Sequence, residues 1–251
     1  MYLGKGYKTA IYFSIFFIIL TGVMIHFPKG KEEFSVWDET AYDLKLDEDQ
    51  ELIDYAYNKN YLFAILGDKK DKIYGNEVCI YRSENLSSKV NWIKVSEYDF
   101  SKVLPWKVEI GDIDDSENLE LFIGVYKSTH FDNKRNNRMF VFNWDGEKLS
   151  KKWTGSQIGY CMKDFYIIDF LDMYGDELII LDKNKDGKER ILIYYWLDFG
   201  FTLLAESENF DLIEKVEYSN DNLLKLTCRD QGKRFQKEVT VKNGEVVGIS
   251  D

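Results

Sequence analysis

An internal repeat with a shift of 57 residues constrains this chain more than any other feature. The stretch WKVEIGDIDDSENLELFIGVYK (106–127) lies over DFYIIDFLDMYGDELIILDKN (164–184), so that Asp112 falls on Asp169, Asp115 on Asp172, Glu120 on Glu177 and Leu121 on Leu178. After each copy come a polar turn and a second apolar run, RMFVFNWDG (138–146) and RILIYYWLD (190–198). A more polar segment then closes each unit, KLSKKWTGS (148–156) and FTLLAES (201–207). Each unit reads as four strands. The two middle strands are apolar almost throughout, as expected when both faces of a sheet are covered. The turns DNKRNN, WDGE and DKNKDGK carry hairpin chemistry, and a polar last strand suits an outer edge. Such a unit cannot cover its own faces and needs neighbours.

Weaker copies flank these two. ELIDYAYN, YLFAILGD, NEVCIYRS and KVNWIKVS run between 51 and 96; IEKVEYSN, NLLKLTCR, FQKEVTVK and GEVVGIS run between 213 and 250. Four units of four strands predict an all-β, propeller-like repeat domain over 51–251 with about four blades. A pair of β-sandwiches is the other arrangement open at this point. The aromatic share of 16% fits pleated, half-buried surfaces. Only Pro28 and Pro105 interrupt the chain, which favours one domain. Residues 29–50 read as a linker in which EFSVWD (33–38) offers a strand that would join the last blade and close the ring.

Ahead of the domain, AIYFSIFFIILTGVMIHF (10–27) has no Asp, Glu, Lys or Arg. Eighteen residues at ~1.5 Å each span ~27 Å, about a bilayer's hydrocarbon layer. No Ala-x-Ala follows to mark a cleavage site, and the first cysteine, Cys79, is too distant for a lipid anchor. Residues 10–28 therefore read as an uncleaved signal anchor. Lys5 and Lys8 precede it, whereas Lys29 and Lys31 are followed at once by Glu32 and Glu33. This predicts a single-pass cell-membrane protein with residues 1–9 as a cytoplasmic tail and the C-terminal domain extracytoplasmic. His26, near the outer end, reads as an interfacial residue.

The net charge is −11, although the first 31 residues hold four lysines and no acid. An acidic domain repels phosphate backbones, so nucleic acid is excluded as a partner. Cys79, Cys161 and Cys228 are far apart, with no metal-ligand spacing. Cys79 and Cys228 lie in apolar strand patterns and read as small core side chains.

The acidic turn Asp112-Ile113-Asp114 with Glu120-Leu121, its copy Asp169-Phe170-Leu171 with Glu177-Leu178, and the run 125–156 resemble the FG-GAP/VCBS-type repeat proteins of bacteria. The resemblance covers about a third of the chain. It implies a β-propeller, often extracytoplasmic, with an interaction role. Members of that group with intact turns hold Ca²⁺ through Asp-x-Asp-x-Asp-Gly. Here Ser116 and Glu117 stand where the third Asp and the Gly belong, and Leu171 and Met173 occupy ligand positions of the second copy. Asp112, Asp114, Ser116 and Glu120 are the candidate Ca²⁺ donors; the alternative is a solvated turn whose carboxylates cap backbone N–H groups. The run Asp182–Gly187 imitates the start of an EF-hand loop, but position twelve is Ile193 and the segment reads as a hairpin.

A second candidate is Lys127-Ser128-Thr129-His130-Phe131, longer than a hairpin needs and close to Lys134, Arg135 and Arg138. Loops on rigid scaffolds carry binding residues, so Lys127, Thr129, His130, Phe131, Lys134, Arg135 and Arg138 are read as a recognition loop for an acidic or carbohydrate ligand; a long surface turn is the plainer account. The tryptophans near strand ends read as blade packing.

With one His in the domain, a Ser-His-Asp or Cys-His arrangement has only His130 to use, and no Gly-x-Ser-x-Gly, P-loop or zinc-ligand pattern is present. The expected function is a tethered, non-catalytic binding domain for a protein or cell-envelope partner. The alternative is an anchored carbohydrate-active hydrolase with paired carboxylates.

Overall fold

Sixteen strands build the computed structural model, which describes residues 44–86, 89–130, 132–155, 157–171, 173–219 and 222–248. The tail 1–9, the expected membrane helix 10–28 and the expected closing strand 33–38 lie outside the described residues. Among those described, no helix is long and apolar enough to cross a membrane.

The strands group into four antiparallel meanders, here blades 1 to 4. Blade 1 holds β1 (Gln50–Tyr57), β2 (Tyr61–Asp68), β3 (Glu77–Leu86) and β4 (Lys89–Asp99). Blade 2 holds β5 (Pro105–Gly111), β6 (Leu119–Lys127), β7 (Asn136–Trp144) and β8 (Leu149–Thr154). Blade 3 holds β9 (Met162–Ile168), β10 (Glu177–Lys183), β11 (Glu189–Leu197) and β12 (Gly200–Glu206). Blade 4 holds β13 (Leu212–Ser219), β14 (Leu223–Asp230), β15 (Lys233–Lys242) and β16 (Glu245–Gly248). One parallel pairing, Glu206 with Glu245, joins blades 3 and 4 into a single eight-stranded sheet.

Strands β2, β6 and β10 are buried on both sides because every second side chain faces a different neighbour. Phe63 and Ile65 of blade 1 pack on Val108, Leu121 and Ile123 of blade 2. Phe122, Met139 and Val141, on the opposite face of blade 2, meet Phe165, Leu178 and Ile180 of blade 3. Ile179, Leu181 and Ile193 in turn meet Ile213, Leu224, Leu226 and Cys228 of blade 4. At the ends of this series the faces differ. The far face of blade 1 is apolar, with Leu62, Ala64, Leu66 and Cys79 under Leu44, Leu46 and Trp92. In blade 4, Lys225, Thr227 and Arg229 alternate with the core side chains of β14. Blades 4 and 1 share no core cluster among the described residues.

The repeat register survives in the hydrogen bonds. The buried Glu120 accepts the N–H of Ile113 at 3.0 Å, and Glu177 accepts that of Phe170 at 2.9 Å. The shift then changes because the loop 128–135 is longer than the loop 184–188. Blade 3 presses so closely on blade 2 that a Cβ at Gly124 would stand 2.8 Å from the Trp106 ring and 2.9 Å from that of Phe165. Antiparallel alternation gathers loops 69–76, 128–135 and 184–188, and the links between blades, at the end where β1 begins.

Phe165 is fully buried against Trp106, with ring centres 5.8 Å apart. Phe165→Ala is expected to cost about 3–5 kcal/mol, read as a lower urea midpoint with an unchanged slope.

Candidate functional site

The first strands of the blades face one another, and β1, β5 and β9 bring five ionisable side chains together there. Lys107 Nζ lies 2.7 Å from Asp164 Oδ1 and 3.2 Å from Glu109 Oε1. The same ammonium stands 4.1 Å from the centre of the Tyr166 ring, whose hydroxyl donates to Asp164 Oδ2 at 2.8 Å. Asp54 Oδ2 accepts the backbone N–H of Val108 at 2.8 Å, tying blade 1 to blade 2. Burial pushes the Asp54 carboxyl up to about 7, against the pull of that N–H and of Lys107. Burial also raises Glu109, opposed by Lys107. For Lys107 itself burial works against the charge, but Glu109 and Asp164 outweigh it and the pKa rises. The arrangement keeps a lysine charged at the axis, with two carboxylates bound to it and a third that takes up a proton near neutrality. None of these five residues stood out in the sequence. One signal was available: Lys107 and Asp164 are 57 residues apart, so the repeat sets them at equivalent positions.

The acidic turn of blade 2 is organised around a lysine. Oxygens of Asp112, Asp114 and Glu120 lie within 4.8 Å of one another, close enough for one ion. Yet Lys152 Nζ sits 2.6 Å from Asp114 Oδ2 and 2.7 Å from Glu120 Oε1. Asp112 accepts the N–H groups of Ser116 at 3.0 Å and Glu117 at 2.7 Å, and the Ser116 hydroxyl accepts from Asn118. Glu117, at the position of the pattern's glycine, has a left-handed φ of 59°. These donors are already engaged within the protein and do not fit a calcium shell; a Ca²⁺ here competes with an ammonium for the same two carboxylates. Burial resists the charge on Asp114, but Lys152 and Ser116 prevail and hold its pKa below the usual carboxylate range.

The equivalent turn of blade 3 has no such lysine. Glu177 is fully buried, its Oε2 accepts from Phe170 and Leu171 at 2.9 Å, and its Oε1 has no hydrogen-bond partner. Burial pushes this carboxyl up to about 7, opposed by the two N–H groups.

The recognition loop divides in two. Arg138 is only 3% exposed; it binds Asp132 at 3.0 Å and the Lys127 carbonyl, so it builds the loop. His130, Lys134 and Arg135 are exposed, and Phe131 lies outside the described residues. Lys127 and Thr129, by contrast, line a groove of about 560 Å³ between the β4–β5 link and the outer half of blade 2. Lys102 and Lys151 join Lys127 there, around the rings of Phe100, Phe140 and Phe142. Lys127 Nζ rests 5.1 Å from the Phe140 ring centre. Among the described residues none of the three lysines makes an ion pair, whereas Lys94, Lys107, Lys152, Lys188, Arg138 and Arg190 all do. Asp99 is the acid that lines the groove, and bonds from Ser101 hold its pKa low. Lys102 and Lys151 escaped the sequence reading because the fold, and no motif, brings them to Lys127.

No family model matches the sequence, and no curated protein matches it. Among solved structures, the chain is similar to a GH32 β-fructofuranosidase of Bombyx mori, with 16% identity and a TM-score of 0.50. The match covers 80% of this chain and 48% of that one, so the chain spans about half the length of the structure it resembles. At this identity the likeness shows the fold alone: an all-β, propeller-like arrangement of blades.

Glu177 gives the fold a pH dependence of definite sign. Its folded pKa, about 7, exceeds the ordinary 4.5. The stabilisation is therefore full below pH ~4.5 and is lost as pH rises through ~7. Asp54 acts in the same direction. Between pH 6 and 8 the melting temperature should fall in the native protein and fall less steeply in Glu177→Gln. Thermal melts across that window check this, and parallel slopes would mean that Glu177 is ionised in the fold.

Proposed function

We propose that this chain is a membrane-tethered, extracytoplasmic, non-catalytic binding domain whose cell-envelope or protein partner enters the groove between blades 1 and 2. The observation that carries the reading is the trio of lysines around that groove, none held in an ion pair, in a protein of net charge −11. A pocket of a few hundred Å³ with apolar walls and a few polar groups is the usual form of a ligand site. The uncharged stretch 10–28 supports the tether, and the FG-GAP/VCBS-type resemblance supports a binding role. The groove lies at the end of the blades where β1 begins.

Thr154 lines the groove and is exposed, so Thr154→Trp should obstruct the groove without disturbing the core. Full-length protein in detergent is expected to co-sediment with insoluble cell-envelope material, and the variant at least tenfold more weakly. Equal retention of the two proteins would remove the groove from the reading.

A second reading has its own observation. Asp54, with a pKa near 7, and Asp164, held by Lys107, form an acid and a carboxylate at the blade axis, the combination a glycoside hydrolase uses. The structural neighbour is a β-fructofuranosidase, which favours the same idea. Against it, Glu109 and Asp164 are both committed to Lys107. If the hydrolase reading holds, sugar release from a polysaccharide panel should vanish in Asp54→Asn and in Asp164→Asn. Absence of release by the native protein would eliminate it.

A further inference from the structure

Resting on the binding reading, we infer that the groove between blades 1 and 2 takes an anionic saccharide: sugar rings lie on its phenylalanines while their acidic groups meet its lysines. Three observations lead there. First, positive charge predominates around the groove, where three lysines without an ion pair stand against one acid, Asp99. Lys102, Lys127 and Lys151 come from three separate segments, the β4–β5 link, β6 and β8, and converge on one cavity. With a neutral ligand Asp99 offsets only part of that positive charge, whereas an anionic one engages the remainder.

Second, the apolar part of the lining is mostly aromatic: Phe100 and Phe140 beside Val103, over the nearly buried Phe142. Phe100 and Phe142 meet edge to face at 5.8 Å, and Phe140 and Phe142 at 6.4 Å. Lys127, 5.1 Å from the Phe140 ring centre, places a cation directly beside an aromatic surface. A ligand that is flat and apolar on one side and charged at its rim matches that pairing.

Third, the backbone beneath the phenylalanines is already paired, so free main chain at the groove is confined to the edge strand β8, which carries Lys151 and Thr154. The N–H of Phe100 donates to Asn76, that of Val103 to Phe100 and that of Gly155 to Met139. Strand β7, which carries Phe140 and Phe142, is paired on both sides. Extended peptides are captured mainly through main-chain hydrogen bonds along a free strand edge. Away from that edge, recognition falls to rings and ammonium groups, with Thr154 able to supply a hydroxyl at the mouth; a peptide along β8 is the competing occupant that polyglutamate tests. The volume of about 560 Å³ lies within the usual range for a small-ligand pocket.

The acidic group is either a ring carboxylate or a phosphate carried on the sugar. Fluorescently labelled oligogalacturonate and a phosphorylated oligomannoside, titrated separately, distinguish the two. A neutral oligogalactoside of the same length and a polyglutamate peptide complete the set, with full-length protein in detergent throughout. At least one anionic saccharide is expected to bind, with affinity that falls as NaCl rises. That affinity should drop about tenfold in Lys127→Gln and in Lys151→Gln, drop again in Phe140→Leu, and be largely restored in Lys127→Arg. The neutral oligomer and polyglutamate should bind far more weakly. Polyglutamate binding as tightly as the saccharides, with no effect of Phe140→Leu, overturns the saccharide assignment. So does failure of both anionic saccharides while Thr154→Trp still abolishes binding to envelope material, an outcome that leaves the binding reading standing. If Thr154→Trp changes neither, the binding reading fails as well.

Discussion

A sheet that is apolar on both faces has no stable existence in water unless something lies against each face, and that requirement organises this protein. Strands β2, β6 and β10 carry it most strongly, because consecutive side chains there belong to different cores. Once blade 2 is committed to blade 1 through Leu121 and Ile123, Phe122 and Val141 must find blade 3. Each sheet thereby recruits the next. Large aromatic side chains do much of this work: Phe63, Phe122 and Phe165 are fully buried between blades, and burying one such ring is worth about 1.5–3 kcal/mol.

Packing blades in this way draws the first strands together and leaves polar side chains nowhere to go but toward one another. The cluster of Asp54, Lys107, Glu109, Asp164 and Tyr166 results. Buried or half-buried ions are tolerable only when paired and hydrogen-bonded, and Lys107 meets two carboxylates and a ring at once. The same rule explains Lys152 between Asp114 and Glu120, and Arg190 on the buried Asp182. Cations inside the framework are held by partners, whereas Lys102, Lys127 and Lys151, at the groove, are in no ion pair among the described residues.

Much of the fold was legible because the repeat and the two-faced strands are local patterns. The register Glu120–Ile113 and Glu177–Phe170 is the shift of 57 written in hydrogen bonds. The core positions of Cys79 and Cys228 also followed from strand pattern alone. Less could be read of the sites. Arg138 lies among exposed basic residues in sequence, yet register places it opposite Val125 and buries it. Lys102, Lys127 and Lys151 lie on segments that share no motif, so only the packing of blade 2 beside the β4–β5 link assembles them. The calcium expectation rested on donors at alternating positions; it could not anticipate that Lys152, 32 residues further on than Glu120, would reach back between them.

The pairing of Lys107 with Asp164 has a consequence for how such a molecule can arise. Both occupy the same place in successive units, on the first strands β5 and β9. Perfect tandem copies would set lysine against lysine there, or aspartate against aspartate, and like charges at such separation repel in a site with little water to screen them. Divergence between the copies is thus a condition of assembly, and the worn look of the repeat is what makes its units fit.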